Sequence, residues 1–331
     1  MKKWYFAFLC LCLLYGCKQK ANESSELVNR IDWASLETKV QPAPIPLPAL
    51  CNVEELMTVD SFLLMKNKRM KPMFLLWNMK NPRQYIQFGT IGSGPKELLP
   101  IAMPLYGPNK GKFRVLNNYS LRTYRLVGDS LDFDEQAING NEIGFYQRFY
   151  ALNDTLYCGY RLSHHETGVH LMNIYTQESY DSVSVAEGLR DKPMRYLLNF
   201  CVYKDKLIIG RVLFNQIEVY HVDAEAKKFS PLFTVNFKGA SPEKPMKNGA
   251  CYMNSINADD HYFYMLNQDT EKPGKQTYMD IYTWEGEAVK RLRLDAFYKE
   301  GVLLDGKFYL RKYADDDNLY VLSIDDLGLN K

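Results

Sequence analysis

The chain carries almost no excess of either charge: 41 Lys and Arg stand against 39 Asp and Glu in 331 residues. A nucleic-acid partner would demand a basic surplus, so none is expected. No apolar run reaches the roughly 20 residues that span a bilayer; the uncharged stretch from Trp4 to Tyr15 is too short. No serine sits in a Gly-x-Ser-x-Gly elbow, no cysteine has a histidine beside it, and no carboxylate pair stands out. Among Cys51, Cys158, Cys201 and Cys251 no two have metal-site spacing. Helical periodicity is also missing beyond the first twenty residues, which leaves strands to build the fold. No cofactor is expected.

The first residues have a different purpose. Lys2 and Lys3 precede the apolar stretch, the arrangement of a secretion signal. It ends in Leu14-Tyr15-Gly16-Cys17, which resembles the lipobox of bacterial lipoproteins. That resemblance implies cleavage after residue 16 and a lipid on Cys17, whose acyl chains would hold the protein to a membrane without a spanning helix. Loss of the two lysines leaves 39 basic and 39 acidic side chains. Four thiols remain besides Cys17: Cys51, Cys158, Cys201 and Cys251. Four allow three disulfide pairings, but wide spacing and apolar flanks favour buried free thiols.

Residues 17–48 read as a lipid-anchored tether, polar at first and then proline-rich from Pro42 to Pro48. Residues 49–331 hold a short pattern that recurs six times: a turn residue, then Phe, Leu or Tyr, then a β-type run. The copies begin at Asp60, Gly111, Asp154, Asp205, Asp260 and Gly306, so successive starts lie 51, 43, 51, 55 and 46 residues apart. This is the spacing of propeller blades, four-stranded sheets of roughly 40 to 50 residues. Each copy is followed by a second strand-like stretch, such as Val169 to Tyr175 or Ile217 to Val222. An all-β, six-bladed β-propeller is therefore expected. The sixth copy reaches the C-terminus with no room for an outer strand, which would leave an open edge. A segment within Glu26 to Leu50 is expected to supply that strand and close the last blade.

Between the first two copies lies Phe88-Gly89-Thr90-Ile91-Gly92-Ser93-Gly94-Pro95-Lys96-Glu97-Leu98-Leu99-Pro100. This segment resembles one found in TolB-like six-bladed propeller lipoproteins of Gram-negative bacteria, with Lys96 where that family has Gly and Leu98 where it has an aromatic. The resemblance implies a six-bladed ring and a lipid anchor but no reaction. Physically, Gly89, Gly92, Gly94 and Pro95 make a tight link between blades, and Glu97 is placed to accept hydrogen bonds from backbone donors in the turn. A nucleotide loop is not supported, because Pro95 and Pro100 stand where a helix would have to begin.

Candidate chemistry is sparse. His164, His165 and Glu166, with His170 nearby, form the only histidine cluster, a candidate metal site set against the reading as a polar hairpin loop, since adjacent side chains on an extended chain face opposite ways. Asp315-Asp316-Asp317-Asn318 is an acidic turn that could hold a hard cation or simply be solvated. Arg148, Arg195 and Tyr196 lie at or before the expected inner strands of blades three and four, where they could reach the central funnel and hold a carboxylate or phosphate. The 24 Tyr and 17 Phe are read as packing between blades rather than as sugar platforms. The expected function is a noncatalytic binding or scaffold propeller for a peptide, glycan or protein partner in the envelope. The alternative is a metal-dependent propeller hydrolase, lactonase or lyase. Lys18-Gln19-Lys20 after the anchor lacks an inner-membrane retention Asp, so the periplasmic face of the outer membrane is expected.

Overall fold

The computed structural model describes residues 25–27, 31–68, 71–107, 111–140, 142–163, 166–184, 197–214, 216–236, 253–268 and 274–329. Six antiparallel sheets of consecutive strands form the six blades of a β-propeller. Blade one is β4 (Val53–Val59), β5 (Phe62–Asn67), β6 (Phe74–Asn78) and β7 (Tyr85–Phe88). Blade two is β8 (Met103–Leu105), β9 (Lys112–Asn117), β10 (Ser120–Val127) and β11 (Ser130–Ala137), and blade three is β12 (Tyr146–Ala151), β13 (Leu156–Leu162), β14 (Thr167–Asn173) and β15 (Ser179–Ser184). Blade four is β16 (Leu198–Tyr203), β17 (Lys206–Arg211), β18 (Gln216–Asp223) and β19 (Lys228–Asn236), followed by blade five, β20 (Met253–Ala258), β21 (Tyr262–Gln268), β22 (Thr277–Thr283) and β23 (Ala288–Leu294). Blade six has three strands of its own, β24 (Tyr298–Leu304), β25 (Lys307–Lys312) and β26 (Asn318–Ser323).

The recurring turn of the sequence marks the step from first to second strand in every blade. Its chemistry explains why it recurs. Asp305 and Gly306 sit at φ +49° and +71°, the left-handed pair that a two-residue hairpin requires. Asp60 at +47° and Lys204 at +53° do the same work in blades one and four. The turn carboxylates also tie neighbours together. Asp60 accepts from the Gly111 N–H at 2.6 Å, Asp154 pairs with Lys112 and Arg114, and Asp260 accepts from the Tyr203 hydroxyl at 2.6 Å.

The open edge of blade six is covered as expected, by β3 (Ala43–Pro46) running antiparallel to β26 with Ile45 opposite Leu319. The Leu47 N–H donates to the Asp317 carbonyl at 2.9 Å. By the alternation of an antiparallel ladder, Ala43 and Ile45 then also face β26 with their backbone groups, and Pro44 and Pro46 fall where an N–H would point outward. The outermost strand of the ring thus offers no donor at those positions to a further strand.

The segment ahead of β3 is paired as well. β1 (Ser25–Leu27) adds in parallel to β19, and β2 (Glu37–Val40) adds in parallel to β23. Residues expected as a spacer therefore run along the rims of blades four, five and six in turn. Between β1 and β2 a one-turn helix, α1 (Trp33–Leu36), is capped by Asp32, whose carboxylate accepts from the Ala34 N–H. Trp33 meets Tyr282 edge-on at 5.9 Å and lies 4.0 Å from the Arg291 guanidinium. Arg291 is in turn held by the buried Asp280 carboxylate through bonds of 2.6 and 2.7 Å.

The core lies between blades, and the aromatic residues fill it. Blades one and two share Phe74, Phe113 and Tyr124, with Phe113 and Tyr124 stacked at 5.1 Å. Blades six and one share Leu56, Leu63, Trp77, Tyr309 and Leu319. Cys51, Cys158 and Cys201 are buried free thiols; Cys251 lies outside the described residues.

Candidate functional site

The inner strands of five blades, with Tyr106 and Gly107 just past β8 of blade two, line one cavity of about 410 Å³ at the centre of the ring. Its wall runs from Arg148 and Glu300 to Lys204 at the turn into β17. Most of the lining is apolar, including Leu56, Met57, Ile256 and Val302, so each polar group there has to be accounted for.

Four of the six inner strands carry the same irregularity. The pairing of β4, β12, β20 and β24 with its neighbour slips just ahead of Glu55, Arg148, Ser255 and Glu300 respectively. A bulge adds one residue on one strand and re-aims the side chain after it. Arg148, Ser255 and Glu300 line the cavity, and the Tyr106 hydroxyl, also in the wall, donates to Glu55 at 2.7 Å. The result is a polar belt inside an apolar channel.

Within the belt, the Arg148 guanidinium lies 5.1 Å from the centre of the Tyr106 ring and makes no hydrogen bond or ion pair among the described residues. Burial opposes its charge, but the field of Tyr106, Tyr150, Glu55 and Glu300 outweighs that, so it stays a cation. Burial pushes the Glu300 carboxyl up to about 7 against the pull of Arg311 and Arg148. Glu300 accepts from the Leu56 N–H, and its Oε2 faces the Arg311 guanidinium at 3.5 Å as an ion pair without a hydrogen bond. Ser255 is 7% exposed and its hydroxyl has no partner. Tyr150 stacks on Tyr106 at 4.9 Å and its hydroxyl meets the Cys201 thiol, which burial pushes up to about 12.

Other polar groups at the axis hold the ring together. Asn257 donates to the Gly301 carbonyl at 2.8 Å and accepts from the Leu303 N–H, joining blades five and six. Arg311 donates to the Val53 carbonyl at 2.6 Å and joins six to one. Blades two and three are stitched by backbone bonds between Tyr106 and the Phe149 and Ala151 peptides. Gly107, at φ +129°, is needed there because a Cβ would lie 2.7 Å from the Ala151 carbonyl.

Of the residues picked out from sequence, Arg148 stands on the cavity wall, whereas Arg195 and Tyr196 lie outside the described residues, as do His164 and His165. Glu166 is near the Arg161 guanidinium at 3.8 Å and 3.4 Å from Nε2 of His170. His170 belongs to β14, where burial lowers its pKa and Ser179 lies 3.0 Å from Nδ1. Among the described residues, no three His, Cys, Asp or Glu side chains gather as a metal site. Asp315 caps its own turn, accepting from the Asp317 and Asn318 N–H groups and from the Tyr320 hydroxyl. Asp316 lies beside Lys68, Lys299 and Arg311 in a separate surface cleft.

The glycine-rich link runs from β7 to β8. Glu97 accepts from the Gly94 N–H at 2.7 Å, and the Gly92 and Leu98 backbones pair across the loop. A Cβ on Gly92 would lie 2.0 Å from Glu97 Oε2, so the glycine is the space the carboxylate occupies. The loop docks on blade two through Asn117, which accepts from the Leu99 N–H, and Arg122, which donates to the Pro95 carbonyl.

Sequence reading alone did not single out Glu55, Tyr106, Ser255 or Glu300. A signal exists: each lies five or six residues ahead of the start of a repeat copy, on the strand before the turn.

No family model and no curated protein matches the sequence. Among solved structures, the chain is similar to a Bacteroides fragilis protein described as exported, with a TM-score of 0.54 and 10% identity over 89% of this chain and 98% of that one. It is also similar to BamB from Moraxella catarrhalis (TM-score 0.37, 11% identity, 80% and 83% covered). A third likeness is to the β-propeller domain of the trilobed protease from Pyrococcus furiosus (0.44, 11%, 83% and 81%). At such identity the first likeness speaks for the fold alone, and the other two add nothing to it.

Proposed function

We propose that this protein is a noncatalytic binding propeller of the cell envelope, held to the outer membrane by a lipid on Cys17, with its axial cavity as the place where a peptide, glycan or protein partner engages. One observation carries the reading: a guanidinium without a hydrogen-bond partner among the described residues, Arg148, stands in a cavity of about 410 Å³ walled by five inner strands with Tyr106 and Gly107. Sites for small ligands have volumes of about 300–1,000 Å³, mostly apolar walls and a few convergent polar groups. Arginine presents a planar fork of donors suited to carboxylate or phosphate.

A metal-dependent hydrolase would need carboxylate, amide or histidine ligands converging on the axis. Glu300 has Arg311 and Arg148 in its field and Glu55 has Arg148, and these cations oppose a bound dication. The resemblance to TolB-like lipoproteins agrees with a binding role but names no ligand.

The test is calorimetric titration of the purified full chain and of Arg148→Met with short peptides and oligosaccharides. Saturable binding that the substitution weakens about tenfold or more supports the reading. Binding that ignores Arg148 and every other residue of the cavity wall overturns it, as does a stoichiometric bound metal lost on replacing Glu300. Palmitate labelling that disappears in Cys17→Ser tests the anchor.

A further inference from the structure

The belt carries both signs of charge in one confined space, and that restricts what it can hold. Arg148 offers donors to an anionic group, but an anion placed on it would lie in the field of Glu55 and Glu300. A simple dianion such as inorganic phosphate is therefore disfavoured. A simple cation drawn to the carboxylates would meet Arg148 and Arg311. A ligand with a negative and a positive end relieves both conflicts. It would also give a donor to the 7% exposed Ser255 hydroxyl, which has no hydrogen-bond partner among the described residues, and to Glu300 Oε2, which has only the 3.5 Å ion-pair contact with Arg311. The stacked pair of Tyr106 and Tyr150 supplies a flat wall beside Arg148.

From this arrangement we infer that the axial cavity binds a small zwitterion of the amino-acid or short-peptide class, its carboxylate on Arg148 and its ammonium toward Glu300 and Glu55. The inference rests on the cavity being the binding site and goes further by naming the chemical class. The depressed acidity of Glu300 agrees with it: burial desolvates the carboxyl, and an ammonium group beside it would favour its charged form. The bulges have a purpose on this view, since each re-aims a charged side chain, Glu55, Arg148 or Glu300, on the inner strands of blades one, three and six.

The experiment is calorimetry with the full chain and four probes: trialanine with free termini, its N-acetylated form, its C-terminal amide, and neutral maltotriose. Free trialanine should bind with one-to-one stoichiometry, and blocking either end should weaken it about tenfold or more, the effect of losing one charge-assisted bond. Arg148→Met should erase the preference for a free carboxylate while keeping that for a free ammonium, and Glu300→Gln should do the reverse. If Arg148→Met does not fold, Arg148→Lys and Ser255→Ala replace it, each expected to weaken free trialanine without changing the melting profile. Equal binding of blocked and free peptides overturns the zwitterion inference. Arg148-dependent binding of maltotriose alone overturns it too, while leaving the cavity as a binding site. No binding of any probe, with or without Arg148, removes both.

Discussion

Deleting residues 26–48 takes away β2, β3 and most of β1, and its cost is worked from what β3 covers. Ile45 and Leu47 are half-buried against a cluster that contains the fully buried Leu319, directly opposite Ile45. Burial of side chains of this kind stabilises by about 1.5–3 kcal/mol when complete, so the two partial burials and the exposure of Leu319 come to about 4–5 kcal/mol. Ladder bonds, including that from Leu47 to Asp317, contribute about 1 kcal/mol each net. The loss from β3 alone is on the order of 7 kcal/mol, set against about 5–15 kcal/mol for a whole domain. The deletion should leave a chain with no cooperative melt by circular dichroism. Deleting only residues 26–41 keeps β3 and removes β2 and Trp33 with its contacts to Arg291 and Tyr282; a loss of about 3 kcal/mol and a melting point lower by roughly 6–12 °C are expected. A 26–48 deletion that melts cooperatively within about 5 °C of the intact chain would refute closure by β3.

Asp280→Ala strips the partners from Arg291 and Asn267 and should destabilise by about 3–5 kcal/mol in urea denaturation, as breaking one side of a buried ion pair does. Gly92→Ala puts a methyl on the Glu97 carboxylate and should cost about 1–3 kcal/mol by the same measurement. Glu300, raised by burial to about 7 in the folded state from an ordinary value of 4.5, keeps its proton longer when folded. Stability should therefore fall as pH rises from about 4.5 to about 7, by an amount of order 3 kcal/mol, and Glu300→Gln should flatten that slope in melts taken across this range. Cys51 and Cys201, whose thiols burial raises to about 11 and about 12, should resist iodoacetamide at pH 8 in the native protein, and Cys158 likewise. Peptide mass spectrometry should find all three alkylated only after unfolding.

The second strand of each blade was legible because the turn before it needs special residues. A left-handed hairpin favours Asp, Asn or Gly, and that leaves a mark at Asp60, Gly111 and Gly306, although Lys204 takes such a position in blade four. The inner strands carry only a weaker mark, their distance of five or six residues from that turn. Glu55 and Glu300 follow Glu54 and Lys299 and look like ordinary surface residues of a strand, whereas Arg148 stood out by its place before the third turn; a bulge shows only once the partner strand is in place. The proline-rich stretch up to Pro48 was legible as extended chain, and in part as the closing strand. That Pro44 and Pro46 face away from β26 follows from the register alone.

The sequence by itself determined an all-β chain of six units and a short sixth one that needs an outside strand, because turn chemistry and repeat spacing are local properties. Tertiary structure decided which side chains meet on the axis. The belt exists only because the ring closes, bringing Arg311 to the Val53 carbonyl across 258 positions of sequence and setting Glu300 beside Glu55 and Arg148. Contacts at that separation are fixed by the packing of blades against one another, and no local pattern encodes them.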